Sequence, residues 1–165
     1  MTTPNPRAHP VAVGDRAPDF RLPAADGTVV SLSDQLAQHI VVLYFYPKDN
    51  TKGCTTQACA FRDQYDDFRQ AGAAVIGVSG DSAAQHDRFA GQYQLPFLLL
   101  SDADGVVRRD YGARAAFGLL PGRVTYVIDQ TGIVRYHFSS MTQVQHHVRE
   151  ALKVVQALQP ADSGQ

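Results

Sequence analysis

His39 to Asp63 reads HIVVLYFYPKDNTKGCTTQACAFRD, and the change of period inside this stretch decides the fold. Its first eight residues, HIVVLYFY, form an apolar and β-branched run, which predicts a central strand buried on both faces. Pro47 ends the strand, and KDNTKG is loop chemistry. From Cys54 the period becomes helical. Cys54, Ala58, Phe61, Tyr65 and Phe68 stand at i, i+4, i+7, i+11 and i+14, one face of a helix that Ala71-Gly72 stops.

The same reading extends outward in both directions. TVVSL, Thr28 to Leu32, alternates as a short strand should, and AAVIGVS, Ala73 to Ser79, is a second buried strand. Asp81 or Ser82 caps a helix to about Tyr93, and LPFLLLSD supplies a third short strand. Val124 to Phe138 holds two strand runs about Gln-Thr-Gly, a hairpin. Thr142 is the expected cap of a last helix striped with Val144, Val148, Leu152, Val155 and Leu158. The order is β-α-β-α-β, a hairpin and a helix. It predicts an α/β domain with a central mixed β-sheet flanked by helices, and it resembles the thioredoxin-like fold.

The 165 residues suffice for one domain with a core that needs no staples. The expected organisation is an extended arm over residues 1–14, rich in proline, a single domain over 15–159, and a flexible tail over 160–165. A net charge of -1 with no basic run argues against nucleic acid and anionic membrane surfaces as partners. The N-terminus lacks the apolar core of a secretory leader, and no apolar run is long enough to span a bilayer. A cytoplasmic location is the default expectation.

Only two cysteines occur, Cys54 and Cys59. In a reducing compartment two close cysteines point to catalysis or metal binding rather than a structural bridge. Cys54 opens its helix, where unpaired N–H groups and the positive end of the helix dipole favour thiolate over thiol. Thr51 places a hydroxyl three residues before the sulfur, Gly53 admits a small ligand close to the backbone, and Pro47 supplies a rigid apolar wall. These residues describe a site for a small, polar, electrophilic molecule. A lone helical cysteine is more often an inert core residue. The Pro-x3-Thr-x2-Cys loop and the second cysteine outweigh that reading here.

Tyr44 to Asp63, YFYPKDNTKGCTTQACAFRD, strongly resembles the active-site segment of peroxiredoxins, in particular the peroxiredoxin Q or bacterioferritin comigratory protein subfamily. VIGVSGDS, LPFLLLSD and FGLLPGRVTYVIDQTGIV extend the resemblance over Gly14 to Leu158. It implies a thiol peroxidase that needs no metal and no other cofactor. Cys54 matches the peroxidatic cysteine, Thr51 the threonine that orients the peroxide, and Pro47 the proline that shields the sulfur. Arg123 matches the arginine that favours the thiolate and holds the peroxide oxygens, and Cys59 matches the resolving cysteine, which forms a disulfide with Cys54. The implied partners are a hydroperoxide and thioredoxin or a similar dithiol, and the implied state is a monomer. Lys52 departs from the pattern the resemblance implies, in which most relatives carry proline there; a solvated ammonium is the expected outcome.

Other features carry less. The six histidines, at 9, 39, 86, 137, 146 and 147, show no ligand spacing and read as structural or solvated. Tyr44, Phe45 and Tyr46 read as core, and so do Phe117, Leu119 and Leu120, whose other reading is an apolar rim for alkyl hydroperoxides. Two rival functions remain open on the residues alone. One is a thioredoxin-like disulfide reductase, which prefers C-x-x-C. The other is a copper carrier with two cysteines and a histidine as ligands, which needs closer cysteines.

Overall fold

The computed structural model describes residues 11–115 and 120–158, with only the backbone at 114–115 and 120–121. The expected tail, most of the expected arm, Phe117 and Leu119 lie outside the described residues. A hairpin of β1 (Arg21–Pro23) and β2 (Val29–Ser31) leads into a short helix, α1 (Leu32–Leu36). Then come β3 (Ile40–Phe45), α2 (Lys52–Asp63), α3 (Tyr65–Gln70), β4 (Ala73–Ser79), α4 (Ala83–Tyr93) and β5 (Leu98–Ser101). The chain continues through α5 (Val106–Tyr111) and a two-residue pair, β6 (Arg114–Ala115) with β7 (Leu120–Pro121). It closes with the hairpin β8 (Val124–Ile128) and β9 (Val134–Ser139), then α6 (Val144–Leu158).

The main sheet has five strands in the order β5-β4-β3-β8-β9. Strand β3 is central, parallel to β4 and antiparallel to β8, so the sheet is mixed as expected. Every residue of β3 is buried, because both faces of the sheet are covered. Alternation along β3 sorts its side chains into two cores. Val41, Leu43 and Phe45 pack with Leu32 and Leu36 of α1 and Tyr111 of α5. Val42 and Tyr44, with Tyr46 just past the strand, pack with Phe61 of α2, Phe68 of α3 and Val148 and Val155 of α6. Phe61 stacks on Tyr44 with ring centroids 4.6 Å apart, which fixes α2 over the middle of the sheet. Burying one such ring is worth about 1.5–3 kcal/mol.

Several expectations are adjusted. The helix from Cys54 to Phe68 is interrupted at Gln64, whose φ of -101° and ψ of 7° lie between α2 and α3. The interruption lets Phe61 and Phe68 both reach the sheet, each fully buried, while Tyr65 is only half-buried. Entry to α6 is held by Ser140 rather than Thr142: its Oγ accepts from the N–H of Gln143 at 3.2 Å and of Thr142 at 3.4 Å. Val11 is fully buried and donates its N–H to Tyr111 O at 3.1 Å, so the chain is already packed there. Ser82 caps α4 in a capping box with Gln85, as the sequence predicts. Among the described residues no helix is long and apolar enough to cross a membrane.

Candidate active site

The site lies where β3 hands over to α2. Cys54 is the third residue of α2 and 1% exposed, in the core cluster that contains Tyr44 and Phe61. Thr51 stands at the N-cap with extended backbone, yet its side chain caps no helix N–H. Its hydroxyl instead donates to Lys48 O at 2.8 Å, across the loop. The first turn of α2 therefore keeps its field directed at Cys54 without a side-chain cap from Thr51.

Arg123, the residue before β8, reaches this turn from the neighbouring strand. Its Nη2 donates to Cys54 Sγ at 3.4 Å, Nη1 to Gln57 Oε1 at 2.6 Å and Nε to Met141 O at 3.2 Å. All three guanidinium nitrogens are thus placed, and the side chain is buried. Gly53 makes the approach feasible. A β-carbon there would stand 2.9 Å from Arg123 Nη2, closer than real contacts allow. The expected close approach at Gly53 is made by the protein's own arginine.

Gln57 is the residue that sequence reasoning missed. It is fully buried, and its Nε2 has no hydrogen-bond partner. The available signal was its spacing, i+3 from Cys54 on one helix face. Arg108 was missed too. It donates to Tyr46 O at 2.6 Å, Gly122 O at 2.7 Å and Ala113 O at 3.0 Å, beside the Phe45 ring. One buried guanidinium therefore ties the residue before Pro47 to the residue before Arg123. Asp102 fixes the start of α5 by accepting from the N–H groups of Val107 and Arg108.

The remaining candidates are spread around this centre. Pro47 is half-buried, whereas Thr51 and Lys52 are exposed. Cys59 is half-buried in a separate cleft with Thr55, Thr56, Ala60, Asp63, Gln64 and Gln145, and both cysteines are free thiols. They stand five positions apart on one α-helix, which sets their Cα atoms roughly 8–9 Å apart. The structure brings Cys54, Gly53 and Arg123 together and leaves Cys59 apart.

Two buried groups frame the electrostatics. Burial, with the charge of Cys54 next, holds the Tyr44 hydroxyl protonated well above the usual phenol range. Burial also lowers His147 to about 4. This neutral ring takes Thr125 Oγ1 at 2.9 Å on Nδ1 and donates Nε2–H to Ser140 O at 2.8 Å, fixing the turn that holds Met141 O against Arg123.

Comparison with known proteins assigns the family. The AhpC/TSA family profile matches residues 13–137. A rice protein named peroxiredoxin Q, chloroplastic, is 52% identical over 149 residues, 90% of this chain and 68% of its own. The Mycobacterium tuberculosis peroxidoxin BcpB superposes with a TM-score of 0.85 at 37% identity, covering 91% of this chain and 99% of its own. The bacterioferritin comigratory protein of Xanthomonas campestris, described for alkyl peroxide reduction, gives 0.78 at 31% identity, covering 86% and 92%. The cytoplasmic expectation is corrected by these relatives, because the plant proteins at 48–52% identity are named as chloroplastic. That expectation rests on the lack of a secretory leader's apolar core and of a bilayer-spanning run in the sequence. The chain belongs to the AhpC/TSA family as a peroxiredoxin of the Q type, and it is a thiol-dependent peroxidase.

Proposed function

We propose that Cys54 is the attacking thiol, Cys59 the resolving thiol, and a thioredoxin-type dithiol the reductant. The observation that carries the first role is the Arg123 Nη2 contact to Cys54 Sγ at 3.4 Å, at the first turn of a helix. A cationic donor and the helix terminus thus present positive charge to the sulfur from two directions. The sulfur attacks one peroxide oxygen and the O–O bond breaks. Water or an alcohol leaves, and Cys54 becomes a sulfenic acid. Arg123 stabilises the negative charge that develops on the departing oxygen.

Thr51 suits the orienting role through its lone pairs. Its hydrogen is committed to Lys48 O, so the oxygen is left to accept the peroxide O–H. Pro47 closes the apolar side, and Gly53 keeps the backbone low so that Arg123 and substrate meet the sulfur. Cys59 then displaces hydroxide from the sulfenic sulfur; with a proton this leaves as water, and a Cys54–Cys59 disulfide forms. An external dithiol reduces that bond by exchange and is itself oxidised. The substrates are hydrogen peroxide and organic hydroperoxides, and the chain acts as a monomer, in keeping with the subfamily resemblance.

The test is peroxide consumption coupled to thioredoxin, thioredoxin reductase and NADPH. Steady NADPH oxidation that requires the chain and either hydrogen peroxide or an alkyl hydroperoxide is the expected result. No thioredoxin-dependent turnover would sink the reductant assignment. Sedimentation of the reduced chain checks the monomer.

A further inference from the structure

The loop of Pro47 and Thr51 that leads into the helix of Cys54 is anchored in its middle by Asp49. Its carboxylate is buried and accepts from Tyr46 Oη at 2.5 Å, while its second oxygen lies 2.7 Å from His86 Nδ1. Its backbone N–H donates to Asp81 Oδ2 at 2.8 Å. The next residue, Asn50, has a φ of 62°, the left-handed region that Asn tolerates better than most non-glycine residues and that turns the loop toward Thr51. Thr51 follows directly.

His86 is fully buried on α4. Its Nε2 lies 3.0 Å from Leu100 O, and a carbonyl only accepts, so that nitrogen carries a hydrogen. Its Nδ1 faces the Asp49 carboxylate at 2.7 Å, within hydrogen-bond reach. Asp81 is fixed in turn, accepting from Ser79 Oγ at 2.6 Å. Asp49, Asp81 and His86 bring ligand-type atoms within 4.8 Å of one another. Hydrogen bonds inside the protein already engage these groups, so the cluster has the make-up of an anchor rather than a metal centre. It joins the loop to α4 and to the ends of β4 and β5.

We propose that the Asp49–His86 pair is a positioning element for the peroxidase reaction. It acts through the loop, holding Pro47 and Thr51 in register with Cys54 so that a peroxide reaching the sulfur is already oriented. The proposal rests on Cys54 as the attacking thiol and Thr51 as its orienting group. Displacement of positioning groups by about 1 Å is enough to cost on the order of 100-fold in rate.

The experiment compares two reactions of the same sulfur in a Cys59→Ser parent. One is single-turnover oxidation by hydrogen peroxide, and the other is alkylation by iodoacetamide, each extrapolated over pH to full thiolate. Alkylation needs the thiolate and access but no oriented peroxide. Asp49→Ala should slow the peroxide reaction on the order of 100-fold and change alkylation less than about threefold, within ordinary local relaxation. Asp49→Asn keeps an acceptor for Tyr46 and can donate to a neutral His86, so it should recover most of the peroxide rate. His86→Gln carries the same comparison should Asp49→Ala fail to fold. An unchanged peroxide rate, or equal losses in both reactions, would overturn the proposal. A parent whose Cys54 does not react with peroxide at all would strike the functional reading itself, before any variant is compared.

Discussion

Gly53 and Arg123 occupy the same corner of the site: the guanidinium Nη2 lies 2.9 Å from where a β-carbon on residue 53 would stand, and 3.4 Å from Cys54 Sγ. The backbone of one residue thus sets how near the other comes to the sulfur. Gly53→Ala should push Arg123 away while leaving helix propensity slightly improved. Loss of one charge-assisted hydrogen bond, about 1.5–3 kcal/mol, predicts an on the order of 10- to 150-fold slower attack on peroxide. Stopped-flow oxidation of the reduced variant measures it. A wild-type rate would show that the contact has no part in the attack.

Arg123 and Lys52 both place positive charge near Cys54, yet they should not matter equally. Arg123 is buried with every guanidinium nitrogen partnered, whereas Lys52 stands in water at the helix start. Salt and solvent screen an exposed ammonium far more than a buried donor. Arg123→Ala should slow peroxide attack, and Lys52→Ala should change little. Stopped-flow oxidation of each reduced variant by hydrogen peroxide separates them, and a larger effect from Lys52→Ala would reverse the ranking.

The two thiols should fail in different ways. Cys54→Ser should abolish turnover and leave no sulfenic acid for dimedone to trap, because the other thiol lies in a separate cleft away from Arg123. Cys59→Ser should react once, stop at the sulfenic acid and over-oxidise in excess peroxide, because the chain has no third cysteine. Mass spectrometry after one equivalent of peroxide reads both. Thioredoxin-dependent turnover that persists undiminished in Cys59→Ser would mean that an external thiol resolves Cys54.

What the sequence displays depends on whether a signal repeats along the chain. Strand β3 and the start of α2 are legible because an uninterrupted apolar run gives way to a helical period at Cys54. Helices α1 and α5 are too short, at five and six residues, to show a period. Arg123 is 69 residues from Cys54, and no spacing rule joins them; family resemblance pointed to it, not periodicity. The pairing of Asp49 with His86 across 37 residues is equally silent in the sequence, since one buried polar pair makes no pattern. Gln57 alone could have been found locally, three residues after Cys54 on the same face.

His147 predicts an acid limb in stability. Its folded value is lowered to about 4 by burial, against 6.5 in the unfolded chain, so between those values the unfolded state binds more protons. Stability is therefore fully kept above about pH 6.5 and falls as pH drops toward 4, by up to about 3 kcal/mol from this group. His147→Gln should flatten that part of the curve even if it lowers stability overall. Urea unfolding at a series of pH values compares the two slopes. Identical slopes for the variant and the parent would show that the ring contributes nothing there.

The last prediction concerns the distance between the two thiols. Both sit in the single helix α2, and five helical residues put their Cα atoms roughly 8–9 Å apart and turn the second about 140° from the first. A disulfide generally needs Cα atoms closer than about 7 Å with the Cβ vectors facing each other. The reduced helix therefore has to open before the bond can close. Opening from about Gly53 to Ala60 would lift Cys54 from its buried place and draw it off Arg123, leaving Asp49 as the fixed point behind the loop. On the proposed roles, the folded helix would serve attack on peroxide, and the opened segment would serve resolution and present the disulfide to a dithiol. Hydrogen exchange on the reduced and oxidised chains reads this directly. Amides from Cys54 to Phe61 should lose protection on oxidation, while those of β3 and β4 keep theirs. Equal protection across α2 in both forms would rule the opening out.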